Sequence, residues 1–309
     1  MNNKYINTTL HNNESLSYSG ASSLTSDILE LVKIRITMLV AFTTALGYIL
    51  ASDSLSLGFI YPVVGIFILA CSSAALNHYQ ERNFDKLMAR TTGRPIPAGR
   101  MTEGTAIMIS LSLLILGSVI LLAGTNLMTL IVGLATYVSY NFIYTPLKRK
   151  IALAIIPGSL VGALPPVAGW VAAGGNMFDE KIILVAAYFF IWQIPHFWLL
   201  LLKYGKEYEG AGFPALTETL SKERIAKLIF FTTILTVIPV CILFAGGMLN
   251  YFITGILLLA ASVWLLVNSY RFTKSDLSNK NVTRSFIGIN IYTLIFITLL
   301  SLDKLINLT

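Results

Sequence analysis

Asn77, Glu81 and Asp85 recur every fourth residue, and on a helix that spacing lays an amide and two carboxylates along one face. Oxygen donors in file suit a hard cation. Mg²⁺ keeps several waters and is commonly held by one or two carboxylates together with the oxygens of a substrate phosphate. The residues that follow carry the opposite charge: Lys86, Arg90, Arg94 and Arg100, and guanidinium forks match phosphate oxygens in bidentate pairs. Acids for a metal beside bases for an anion make a candidate diphosphate site. The plainer reading is a cytoplasmic loop with a positive bias after an apolar run. What sets the segment apart is its place at the mouth of an apolar helix, with Arg90-Thr91-Thr92-Gly93-Arg94-Pro95 behind it.

The elements that must position these residues are membrane helices. The chain has 309 residues, of which 55% are apolar and 12% charged, and its mean hydropathy is +0.73; a soluble domain would carry about 25% charge. Apolar runs near the length of a bilayer span fall at about 30–51, 58–81, 104–123, 126–146, 151–173, 181–203, 225–246, 249–270 and 284–303. The expected fold is therefore all-α, a polytopic bundle of nine transmembrane helices. With residue 1 in the cytoplasm, all but Lys181 and Lys304 of the 22 Lys and Arg lie inside, as loops rich in positive charge require. The C-terminus is then outside. The net charge of +7 is accounted for by orientation in the bilayer and by anionic ligands, with no nucleic acid needed. Residues 1–28, rich in Asn, Ser and Thr, read as a mobile cytoplasmic tail, and 29–309 as a single membrane domain. Cys71 and Cys241 fall in different spans without ligand spacing and read as packing residues.

Along the chain, Lys33 and Arg35 read as interfacial anchors ahead of ligand contacts. His78 lies beside Asn77 but points elsewhere on the helix, either bonding locally or approaching a ligand. Span four ends in Tyr137, Tyr140, Asn141 and Tyr144, then Lys148, Arg149 and Lys150: an aromatic belt, or the border of a cavity facing the cytoplasm. Span five holds Pro157-Gly158, Gly162-Ala163 and Pro165-Pro166, which allow a bend and close helix approach. Span six carries Trp192-Gln193-Ile194-Pro195-His196-Phe197, polar groups that are costly in an apolar run and mark function. A second charged loop follows, with Lys206, Glu207, Tyr208 and Glu209. The stretch Arg271 to Arg284 shows no such grouping and reads as a solvated loop.

Taken together, Asn77-x3-Glu81-Arg82-x2-Asp85-x2-Met88-x-Arg90-Thr91-x2-Arg94-Pro95, Tyr144-Thr145-x-Leu147-Lys148-Arg149, Gly162-Ala163-x-Pro165-Pro166 and Trp192-Gln193-x-Pro195-His196-Phe197 resemble the UbiA-type intramembrane prenyltransferases, and among them the protohaem IX farnesyltransferases, or haem O synthases. The resemblance covers about residues 30–303. It implies a central cavity opening near the cytoplasmic face of a bacterial plasma (inner) membrane. There Mg²⁺ on Asn77, Glu81, Asp85 and Glu207 grips farnesyl diphosphate, with Arg90, Arg94, Lys148, Arg149 and Lys206 on the diphosphate and Tyr144 steadying the reacting groups. Haem B is the implied acceptor, with His196 as a contact to its iron or a proton carrier, and His78, Arg82 and Arg100 as further haem contacts. A downstream haem-modifying oxygenase or terminal oxidase assembly is the implied partner. Glu81 as the middle acid suits the haem branch. Glu207 before Tyr208 departs from the Asp often found there, and Ala215-Leu216-Thr217 departs from the usual Met-Leu-Pro. Two alternatives stay open: a UbiA-type enzyme acting on an aromatic or quinone-precursor acceptor, and a non-catalytic haem transporter.

Overall fold

The computed structural model describes residues 23–54 and 56–308. Every regular element among them is helical: α1 (Leu24–Leu31), α2 (Ile34–Ala51), α3 (Ile60–Asp85), α4 (Glu103–Gly124), α5 (Leu127–Val138), α6 (Thr145–Leu147), α7 (Ile155–Gly158), α8 (Leu160–Ala172), α9 (Glu180–Gly210), α10 (Leu216–Thr219), α11 (Lys222–Ala245), α12 (Phe252–Thr273) and α13 (Asn279–Leu308). A short 3₁₀ turn precedes α3, and a π-helical segment, Ser139–Tyr144, joins α5 to α6. Among the described residues nine helical spans are long and apolar enough to cross a membrane, as the hydropathy pattern requires. Of the tail expected over 1–28, residues 1–22 lie outside the described residues, and α1 already occupies 24–28. Ser23 caps that helix by accepting from Ser26 N, and Leu31 packs into the interior.

Two spans outrun their apolar runs. α3 has 26 residues and α9 has 31, about 39 and 46 Å at 1.5 Å per residue, against a hydrocarbon core of about 30 Å. Their last turns therefore project past the apolar layer, and those turns carry Glu81, Asp85, Lys206 and Glu207. The remaining ends are set by local chemistry. Thr102, Asn126, Asp179 and Ser221 each cap a helix start by accepting from the backbone two or three residues on, and Gly124 to Asn126 makes the tight turn between α4 and α5.

In the bundle α3 packs on α4 and α2, α2 on α8, α8 on α5 and α9, α9 on α11, α11 on α12, and α12 on α13, which closes the ring against α2 and α9. The α2–α8 contact depends on two glycines. A Cβ at Gly47 would collide with the Pro166 carbonyl, and one at Gly169 with the Thr44 carbonyl, so the backbones approach as closely as small residues permit. Pro165 and Pro166 stay inside α8; the break in this span falls at Ser159, between α7 and α8. On the other side Tyr188 stacks on Phe296 with centroids 3.7 Å apart and shares a 3.0 Å hydrogen bond with Thr293. Cys71 is buried as expected. Cys241 lies on the exterior instead, where a small apolar side chain suits lipid as well as a core.

Candidate active site

The file on α3 is closed by cations drawn from three other parts of the chain. Asn77, Glu81 and Asp85 are all buried. Lys33 Nζ donates to Asn77 Oδ1 at 2.7 Å, while Asn77 Nδ2 donates to Thr145 Oγ1 at 3.2 Å. Glu81 forms an ion pair with Lys148. Arg94 Nη1 donates to both oxygens of Asp85, at 2.8 Å each. Buried carboxylates are tolerated only when paired and hydrogen-bonded, and here each acid has its own base. The acids and Arg94 and Lys148 are thus brought together as the spacing predicts. Of the two basic residues at the start of the first span, Lys33 reaches the file through Asn77 and so favours the ligand reading over the anchor, while Arg35 is exposed.

Local structure delivers these bases. Lys33 sits between α1 and α2 in the left-handed region, φ 51° and ψ 51°, a conformation costing about 1–2 kcal/mol for a residue with a Cβ. That break turns its side chain toward α3. Lys148 follows the π-helical segment, whose wider turn lets Thr145 Oγ1 donate to the Tyr140 carbonyl five residues back, at 2.8 Å; such segments recur at functional sites. Tyr144 stacks on Tyr140 at 5.8 Å, and Lys148 Nζ lies 5.4 Å from the Tyr144 ring centre. Gly158 leaves room for the Tyr144 ring, and Gly162 for the amide of Gln193. Burial and the neighbouring Arg94 push Lys33 down to about 7, although Glu81 and Asp85 work the other way. Burial opposes the Lys148 ammonium most, but the adjoining Glu81 carboxylate together with Tyr144, Tyr140 and Tyr208 outweighs it and holds Lys148 above the ordinary lysine value.

The second motif meets the first through the loops. Met88, Ala211 and Phe213 form a small buried cluster with Phe84 and Tyr208 against it. Glu207 Oε2 accepts from the Arg90 backbone N–H at 3.2 Å, and the Arg90 guanidinium reaches the Tyr208 hydroxyl at 3.3 Å. Glu207 thus faces the first loop, yet its carboxylate holds backbone there and not a base of the file. Beside Tyr144, Lys148, Tyr208 and Phe213 lies a cavity of about 90 Å³.

Other candidates are engaged elsewhere. Arg149 donates to the Gln80 carbonyl and lies over Phe84, 4.9 Å from its centre, so it braces the back of α3. Arg82 pairs with Glu103 at 2.7 Å, and Arg100 with Asp27 at 2.8 Å and Glu30 at 3.1 Å. Lys206 is exposed. Asn141 is buried, donating to Ser73 and to the Tyr137 carbonyl, and packs helices together. The two histidines differ from these. Among the described residues both nitrogens of His78 and Nδ1 of His196 are buried without a hydrogen-bond partner. His196 lies among the rings of Trp192 (4.6 Å), Phe286 (4.7 Å) and Phe197 (5.5 Å). It stands eleven residues before Glu207 on the same helix, about 16 Å deeper into the bundle.

Comparison with known proteins decides the family. The profile of the UbiA prenyltransferase family matches residues 40–294. The chain belongs to that family. It is similar to the protoheme IX farnesyltransferase of Christiangramia forsetii, 33% identical over 97% of this chain and 98% of that one, and to the protoheme IX farnesyltransferase of Oleidesulfovibrio alaskensis, 30% identical over 90% and 96%. A solved UbiA homologue from Archaeoglobus fulgidus, bound to GPP and Mg²⁺, shares the fold with a TM-score of 0.67 at 18% identity, over 89% of this chain and all of that one. As a UbiA protein the chain is an integral membrane prenyltransferase. Among its described residues no three His, Cys, Asp or Glu side chains cluster around a common point. The donor set nonetheless fits a divalent cation bound with a phosphate: two buried carboxylates and an amide oxygen in file, each held by a base.

Proposed function

We propose that the protein transfers the farnesyl group of farnesyl diphosphate to a vinyl group of haem B, giving haem O and diphosphate, in a bacterial plasma membrane with its N-terminus cytoplasmic and its C-terminus outside. The observation that carries the site is the one-to-one pairing of Asn77, Glu81 and Asp85 with Lys33, Lys148 and Arg94. Those oxygens, with Glu207 supplied from α9, would hold Mg²⁺; when bound, it neutralises charge on the leaving diphosphate.

The residues then exchange partners. Arg94 and Lys148, released from the acids, and Lys33, released from Asn77, turn to the phosphate oxygens, and Arg90 closes from the loop. Positive charge already fixed at the mouth meets the negative charge that grows there as the allylic C–O bond breaks, the arrangement that lowers a barrier most. The rings of Tyr140, Tyr144 and Tyr208 face the cation left on the isoprenoid. Its C1 bonds to the terminal carbon of the haem vinyl group, a water oxygen adds to the inner carbon, and that water's proton leaves. Apolar walls keep other water away. His196, with an unpartnered nitrogen among three aromatic rings, suits the flat acceptor deeper in the bundle.

Purified protein incubated with haem B, farnesyl diphosphate and Mg²⁺ should yield a tetrapyrrole heavier by one farnesyl group and one hydroxyl, with release of diphosphate. Asp85→Asn should abolish that product when product is normalised to the folded protein retained in detergent. Undiminished product from the variant would remove the metal role, and unmodified haem with no diphosphate released would favour transport over catalysis.

A further inference from the structure

A second cavity lies away from the acidic file. It is a groove of about 540 Å³ between α11, α12 and α13, floored by Leu199 of α9. The up-and-down order puts the C-terminal end of α12 and the N-terminal end of α13 at the same end of the bundle as the acidic motifs. At that end Arg271 and Arg284 line the mouth, with Ser275 and Asn281. Seven residues inward on each helix, about 10 Å deeper, Trp264 and Ile291 line an apolar interior.

We propose that this groove binds an anionic phospholipid of the surrounding leaflet, its phosphate between Arg271 and Arg284 and an acyl chain along Trp264, Gly288 and Ile291. Charge complementarity argues for it. Among the described residues neither guanidinium lies within ion-pair distance of a carboxylate. The single acid of the connecting stretch, Asp276, is turned into its own turn, accepting from Ser278 N at 3.1 Å and Asn281 Nδ2 at 2.6 Å. Arginines at helix ends ordinarily anchor a span without binding anything specific. Here both border one concavity of ligand size that runs from charge to apolar wall, the form of basic pockets between membrane helices that hold anionic headgroups. Gly288 completes it. A Cβ there would meet only the tip of Trp264, at 3.8 Å, so the missing side chain leaves a channel that a larger residue would fill without a clash.

The test is native mass spectrometry of the full chain in neutral detergent, titrated with phosphatidylglycerol, with phosphatidylcholine of the same acyl chains, and with inorganic pyrophosphate. One retained phosphatidylglycerol is expected where phosphatidylcholine is not retained. Occupancy should drop at least tenfold in Arg271→Gln/Arg284→Gln, and again in Gly288→Phe, which blocks the channel and leaves both charges; Arg271→Lys/Arg284→Lys should retain most of it. Should the arginine pair prove necessary for folding, Gly288→Phe alone carries the readout. Equal retention of the two lipids, unchanged occupancy in Gly288→Phe, or a pyrophosphate adduct lost in the same variants would each overturn the assignment.

Discussion

One nitrogen of Arg94 serves both oxygens of Asp85, at 2.8 Å to each, nine residues away along the same stretch of chain. Asp85 is wholly buried and the Arg94 side chain nearly so. Removing one partner strands the other, at about 3–5 kcal/mol. Arg94→Gln should therefore lower the melting temperature by more than the double variant Asp85→Asn/Arg94→Gln, in which neither charge is left alone, while both lose farnesyl transfer. Thermal unfolding in detergent, read beside product mass, separates the two effects; equal melting temperatures would show the pair to be uncoupled.

Metal and diphosphate should bind together. With Lys33 on the Asn77 amide and Lys148 and Arg94 on the two acids, Mg²⁺ alone must displace ammonium and guanidinium groups, and pyrophosphate alone must attract them away from oxygens left buried and bare. The melting temperature should rise little with either and by several degrees with both, since binding to the native state stabilises it by mass action. Additive shifts would contradict the exchange of partners.

The pH dependence of the metal-free protein should carry the mark of Lys33. Its folded value, about 7, lies below the ordinary 10.5. Between those values the unfolded chain binds more protons at this group, so its contribution makes folding stability rise with pH. Lys33→Met should flatten that part of the profile between pH 7 and 10, and an identical slope in parent and variant would assign it elsewhere.

Gly158 makes room for Tyr144. Gly158→Val should push that ring off Tyr140, costing about 1–3 kcal/mol as overpacking does, and should cut turnover more than it raises the Michaelis constant for farnesyl diphosphate. A Gly158→Val enzyme of full turnover would take Tyr144 out of the reaction.

His196→Phe keeps an aromatic ring among Trp192, Phe197 and Phe286. Melting temperature should hold while product is lost, because the ring's bulk remains and its nitrogens do not. Product at the parent's level would reduce His196 to packing.

The acidic file was legible in the sequence because its period of four survives as one face of α3, and Lys148 and Arg94 were legible as bases near it. Lys33 was not. A lysine beside an apolar run looks the same whether it reaches headgroups or a carboxamide on another helix, and only the left-handed turn before α2 decides. Arg82 and Arg100 looked equally free, but Glu103, Asp27 and Glu30 hold them, partners that helix packing and a folded loop supply. The stretch from Arg271 to Arg284 read as solvated for a related reason: its two arginines converge only once α12 and α13 lie side by side.

Arg100 grips Asp27 and Glu30 in α1, and the same loop carries Arg94 to Asp85. Lys33, three residues beyond Glu30, reaches back to Asn77. The first helix is thereby buckled to the loop through Arg100, and the Lys33 that follows it is tied to α3, so on the proposed exchange of partners its position should report whether substrate is bound. A fluorophore placed on exposed Leu24 would sense turnover from outside the bilayer, and trimming the chain past Glu30 would unfasten the buckle while leaving every transmembrane span intact.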